Sequence, residues 1–100
     1  MSDLTKSQLL EGRPIRLEKQ GRTICVTRVG SEIFAIDDTC THSDASLSEG
    51  DVTGTKIECW LHGAEFDLRT GEAITLPAVQ PVRTYRVLEE ADAISIEIND

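Results

Sequence analysis

Two short cysteine–histidine pairs constrain this chain more than anything else in it. The first is Cys40-Thr41-His42 and the second is Cys59-Trp60-Leu61-His62, with sixteen residues, Ser43 to Glu58, between them. The chain has only two histidines, and each stands within three positions of a cysteine. Two thiolates and two imidazoles make a four-ligand metal set. The fold must therefore bring two loops, well separated in sequence, to one point. Two metal chemistries fit these ligands: a tetrahedral structural zinc site, or a two-iron cluster with both cysteines on one iron and both histidines on the other. Ligand identity alone leaves the choice open. A chance placement of unrelated loop and core residues is the remaining and weaker reading.

The rest of the chain reads as short strands between turn residues. Pro14 to Glu18 alternates, with Ile15 and Leu17 against Arg16, and Gln20–Gly21 turns the chain into Thr23 to Arg28. There Ile24 and Val26 share one face and Cys25 lies on the other. Gly30–Ser31 leads into Ile33–Ile36, which gives two hairpin signals in a row. Asp37 to Asp51 has little periodicity and many small polar residues, and reads as an ordered functional loop. Lys56 to Cys59 predicts a strand, Glu65 to Leu68 and Glu72 to Ile74 flank a tight turn at Thr70–Gly71, and two prolines stiffen Leu76 to Pro81. Val82 to Leu88 and Ala93 to Ile98 alternate, joined by a loop over Glu89 to Asp92. The segment nearest to a helix, Thr5 to Glu11, is too short to weigh. The expected fold is all-β, a sandwich or small barrel in a single domain.

The balance of 10 basic against 18 acidic residues, a net charge of −8, argues against nucleic acid and anionic membranes. It favours steering toward a partner with a basic face. Met1 to Glu11 has no apolar targeting core, and no apolar run approaches the ~20 residues of a membrane helix. The expectation is a cytoplasmic, unanchored protein. Three cysteines, an odd number without a signal peptide, point to metal or thiol chemistry rather than a disulfide framework. Cys25, in a strand far from both pairs, is expected to be a small buried hydrophobe.

The surroundings of the two pairs separate the metal readings. Leu47-Ser48-Glu49-Gly50 follows the first pair. The second continues as Gly63-Ala64-Glu65-Phe66-Asp67, then Thr70-Gly71 and Leu76-Pro77-Ala78. Over nearly its whole length the chain resembles the Rieske family, and within it the small ferredoxins of multicomponent aromatic-ring dioxygenases. That resemblance implies an antiparallel β base with a small inserted cluster-binding subdomain, about residues 39–81 of a single domain spanning 1–100. It implies one Rieske-type [2Fe–2S] cluster, held by Cys40, His42, Cys59 and His62. Gly63, directly after a ligand, suits a tight loop, and Pro77 is expected to cover the cluster from a third loop.

High-potential members of the family carry an extra cysteine in each cluster loop and two hydroxyls that donate to cluster sulfurs. Here those positions are Ala45 and Leu61, and Ala64 and Phe66. The resemblance is thus to the low-potential, unanchored branch.

Four protein ligands leave no open coordination position, and the chain shows no second domain for a flavin or mononuclear iron. The expectation is a one-electron carrier and not an enzyme. Its implied partners are a flavin-dependent ferredoxin reductase and a terminal oxygenase. The rival functions are an electron-transfer subunit of another assembly, such as a nitrite reductase small-subunit-like protein, and a zinc-stabilised β interaction module. Two features near the loops bear on docking. Trp60, the only tryptophan, either meets a partner or packs over the loops. Asp37, Asp38, Asp44, Glu49 and Asp51 are either a solvated loop or a surface for a basic partner.

Overall fold

The computed structural model describes residues 3–39, 46–60, 63–74 and 81–98. Among these are nine strands: β1 (Leu4–Thr5), β2 (Ile15–Lys19), β3 (Arg22–Val29), β4 (Glu32–Asp37), β5 (Asp51–Thr53), β6 (Lys56–Glu58), β7 (Glu65–Asp67), β8 (Thr84–Glu90) and β9 (Ala93–Glu97). Two single-turn 3-10 helices, Lys6–Gln8 and Leu47–Glu49, complete the elements. The larger sheet has six antiparallel strands in the order β1-β9-β8-β4-β3-β2, and β5-β6-β7 form a second sheet of three. In sequence the small sheet falls between β4 and β8, so it is an insertion into the large one. The all-β expectation is correct.

The hairpins follow from local chemistry. Lys19 pairs with Arg22 across Gln20 and Gly21, both at positive φ (51° and 77°), the two-residue turn whose twist suits a hairpin. Val29 pairs with Glu32 across Gly30–Ser31. The last hairpin is tighter than its sequence suggests. Glu89 and Glu90 belong to β8, and only Ala91 and Asp92 turn the chain. In β8 the buried face is Tyr85 and Val87, and Leu88 is exposed. Val82 precedes the strand and is buried in a different cluster, so the apparent alternation from Val82 to Leu88 spans a change of phase. β5 was not legible as a strand, since Asp51-Val52-Thr53 carries one apolar residue and is held by its pairing with β6.

Both faces of β3 are covered. Ile24 and Val26 point into a core with Leu4, Leu9, Ile33, Ala35, Tyr85, Ile94 and Ile96, inside the curl of the large sheet. Cys25 points the other way, into a core with Ile36, Leu47, Ile57, Cys59, Ala64, Phe66, Leu68 and Val82 beneath the small sheet. Strand periodicity of two does this with no other device. Cys25 is the buried hydrophobe expected of it, and burial pushes its thiol up to about 12. Outside the core, Arg69, after β7, makes a two-pronged ion pair with Glu32 at the start of β4 (2.6 and 2.7 Å). Its guanidinium lies 5.3 Å from the centre of the Phe34 ring.

Lys19, at the end of edge strand β2, reaches to the opposite edge. Its ammonium donates to the Ile96 carbonyl (2.5 Å) and to Asp3 Oδ2 (2.9 Å), and the same Asp3 oxygen accepts the Ile96 N–H (2.7 Å). Burial alone would raise the Asp3 pKa, but the Ile96 N–H and the bonded, charged Lys19 outweigh it and lower the value. The folded value therefore lies below the unfolded one. The stabilisation is present above the ordinary carboxylate range and is lost as pH falls through the folded value. Asp3→Asn should cost about 1.5–3 kcal/mol at neutral pH, the worth of hydrogen bonds to a charged group. Urea unfolding of parent and variant should show that difference shrinking below about pH 4. A difference independent of pH would contradict the assignment.

Candidate metal centre

Of the four expected ligands, Cys59 lies among the described residues; Cys40, His42 and His62 lie outside them, as does Pro77. The structure does describe the stems from which those loops spring. Residues 40–45 leave and re-enter through Thr39 and Ser46, which form an isolated antiparallel bridge. Beside it, the Leu47 N–H donates to the Asp38 carbonyl (2.5 Å). The second stem is β6–β7. At its end the Cys59 N–H donates to the Ala64 carbonyl (2.7 Å), and the Gly63 N–H returns to the Cys59 carbonyl (2.9 Å). Gly63 sits at φ +75°, a conformation that closes this short loop and disfavours other residues. A third stem joins Gly71 to Val82, whose N–H donates to the Gly71 carbonyl (2.8 Å) across residues 75–80.

The first two stems are locked together at Gly50. A β-carbon there would lie 1.8 Å from the Glu58 carbonyl oxygen and 3.3 Å from that of Leu47. The exit of the first loop thus rests directly on the backbone that delivers Cys59, an approach only glycine permits. Cys59 is completely buried and carries a free thiol. Its backbone N–H and C=O are both engaged within the stem, so the sulfur is the donor atom it can offer a metal. Leu47, Ala64 and Phe66 are each fully buried in the same core, so the thiol sits in a dry, apolar wall. A soft sulfur donor at the junction of two loops that each bring a cysteine and a histidine fits an iron–sulfur group.

The acidic cluster noted in the sequence divides. The Tyr85 hydroxyl donates to Asp37 Oδ1. Burial first, and then this bond to Asp37, raise the Tyr85 pKa. Asp38 is buried and bonded within the first stem. These two are structural, while Glu49 and Asp51 face solvent; Asp44 lies outside the described residues. The register of the small sheet adds something the sequence did not show. Asp51 pairs with Glu58 and Glu58 with Glu65, a row of three carboxylates across the strand ends that bear the second loop. At the opposite end Lys56 faces Asp67. Like charges directly opposite are unfavourable in a sheet. Trp60, next to Cys59, is 54% exposed, so it is a surface side chain and not packing over the core.

Comparison with known proteins accounts for this arrangement. The Rieske [2Fe–2S] domain profile matches residues 1–86. The ferredoxin component of biphenyl 2,3-dioxygenase from Rhodococcus jostii (strain RHA1) is 42% identical over 94% of this chain and 88% of its own length. The ferredoxin of carbazole 1,9a-dioxygenase from Nocardioides aromaticivorans IC177 superposes with a TM-score of 0.92 at 36% identity, covering 96% of this chain and 94% of that one. A ferredoxin solved in complex with the reduced oxygenase of carbazole 1,9a-dioxygenase gives 0.91 at 33% identity, over 97% of this chain and all of that one. Chains named as nitrite reductase small subunits, at 15% and 17% identity, share the fold alone. This chain belongs to the Rieske [2Fe–2S] family. Its cofactor is the Rieske-type [2Fe–2S] cluster, and the curated relatives it matches over most of their length are named as ferredoxin components of dioxygenase systems. Among the described residues no helix is long and apolar enough to cross a membrane.

Gly50→Ala should force the two stems apart. It should destabilise the protein by about 1–3 kcal/mol or more, the usual cost of overpacking, and lower the iron bound per chain. Parental thermal stability and iron content in this variant would contradict the contact.

Proposed function

We propose that this chain is a low-potential, cytoplasmic one-electron carrier. It passes electrons from a flavin-dependent NAD(P)H ferredoxin reductase to a terminal Rieske non-haem iron oxygenase of an aromatic-ring dioxygenase system. The observation that carries the proposal is Cys59. It is a buried cysteine outside any disulfide, held at the junction of the two loop stems, in a chain 42% identical to a dioxygenase ferredoxin component. We assign Cys40 and Cys59 to one iron and His42 and His62 to the other. The cluster-binding subdomain is about residues 39–81 within a single domain, 1–100. When bound, the cluster supplies a centre that accepts and releases one electron.

The chain's own residues set its conditions. Leu47, Ala64 and Phe66 exclude water from one side of Cys59. The row Asp51, Glu58 and Glu65, with Trp60 beside it, gives the loop end a negative, part-aromatic docking surface suited to a basic partner. The zinc-module reading loses its support with family membership. The nitrite reductase reading rests on fold likeness alone.

Three measurements test this. Replacing His42 or His62 with Ala should abolish the Rieske electron paramagnetic resonance signal of the reduced protein, and Cys25→Ser should retain it. Loss of the signal in the Cys25 variant would overturn the ligand set.

Electron transfer to the oxygenase should slow as salt rises, because screening weakens steering. A rate flat with salt would shift the docking energy to Trp60; Trp60→Ala would then slow transfer with the cluster spectrum unchanged.

Ala64 and Phe66 offer no hydroxyl to cluster sulfurs, so the reduction potential should lie near the low end of the Rieske range, around −150 mV. A donor that bonded only the reduced state would raise it by roughly 65–130 mV, and one shared by both states by tens of millivolts. Ala64→Ser and Phe66→Tyr should each raise the potential in protein-film voltammetry. A new hydroxyl left unbonded in this buried wall would instead cost about 1–3 kcal/mol of stability. A parent potential near the top of the range would contradict the low-potential assignment.

A further inference from the structure

Asp38 is the buried carboxylate of the first stem, 2% exposed. Its polar groups tie the base of the segment 40–45 together and to the large sheet. Its N–H donates to the Thr23 carbonyl on β3 (3.1 Å), which anchors it to the large sheet. Its carbonyl accepts the Leu47 N–H (2.5 Å) from the far side of the loop. One carboxylate oxygen accepts the Ser48 N–H (2.8 Å), and the other accepts the Ser46 hydroxyl. Ser46 in turn bridges Thr39. One residue thus holds both ends of a six-residue loop. Among the described residues, the cation paired with the carboxylate is Arg16 on β2: its Nε lies 3.9 Å from Oδ2, the other end of its guanidinium pairs with Glu18, and half its side chain is in solvent. A buried negative charge so attended stays poorly screened.

We propose that Asp38 is a positioning residue for the redox centre, tying the two strands of the first stem together as a latch at Ser46, Leu47 and Ser48 and, by its buried charge, holding the reduction potential down. The proposal rests on the reading of Cys40 and His42, two and four residues further on, as ligands. The charge acts with a definite sign. Reduction adds an electron, and a fixed negative charge nearby opposes it. Asparagine can keep both contacts, accepting from Ser48 N–H through oxygen and donating to the Ser46 hydroxyl through nitrogen, while removing the charge. Arg16→Gln leaves the latch intact and removes the compensating cation. The two substitutions therefore push the potential in opposite directions, which a purely structural role would not do.

The test uses the cluster-loaded protein and two readouts. In protein-film voltammetry, Asp38→Asn should raise the midpoint and Arg16→Gln should lower it, the latter shift shrinking in high salt. In a ferrous-chelator assay, Asp38→Ala should release iron at least about tenfold faster than the parent, the effect of about 1.4 kcal/mol. Ser46→Ala, which leaves the charge and the Ser48 bond in place, should release it several-fold faster. It also serves as the latch variant if Asp38→Ala fails to load. Midpoints that are unmoved or move together would overturn the proposal, and so would parental iron release from the latch variants. Failure of the ligand reading is separately visible, as a Rieske resonance signal that survives His42→Ala in an otherwise parental background.

Discussion

Everything in this molecule depends on the packing of the small sheet against the back of β3 and β4. A strand alternates its side chains, and these two strands use both sets. Ile24, Val26, Ile33 and Ala35 fill the interior of the large sheet, while Cys25 and Ile36 meet Ile57, Phe66 and Leu68 from the small one. The same buried layer contains Cys59. Cys59 is therefore mounted on a wall whose position is set by close packing, and core packing tolerates little displacement. The Arg69–Glu32 pair and the Phe34 ring add a surface tie between the same two sheets.

On that wall the structure describes the stems of three loops. The Thr39–Ser46 bridge, the Cys59–Ala64 pairing and the Gly71–Val82 bond each close a loop at its base. Gly50 then sets two of the bases against each other. Such an arrangement lets the loops carry chemistry while the sheets carry the geometry. The row Asp51, Glu58 and Glu65 places like charges opposite one another, an arrangement the sheet itself does not favour.

Much of this was legible in the sequence, for identifiable reasons. The hairpins around Gln20–Gly21 and Gly30–Ser31 announced themselves because turn residues and alternating strands coincide there. The candidate ligand set stood out because both histidines accompany cysteines. β5 was missed because a three-residue strand with one apolar side chain has no periodicity to detect; its pairing partner makes it a strand. Val82 misled because it is apolar and in phase with Leu88, yet it belongs to the core under the small sheet, before β8 begins. The roles of Asp37 and Asp38 were hidden by their likeness to ordinary loop acids, since burial and hydrogen bonds to Tyr85, Ser46 and Ser48 arise only from tertiary contacts. The acidic row depends on strand register, which spacing alone does not provide.

The central claim is that two cysteines and two histidines hold a two-iron cluster rather than a single tetrahedral metal. Iron, acid-labile sulfide and zinc measured together on the protein purified anaerobically test it most directly. The account predicts two irons and two sulfides per chain, visible absorption, and negligible zinc. One zinc per chain with no sulfide, in a colourless and fully folded protein, would contradict it.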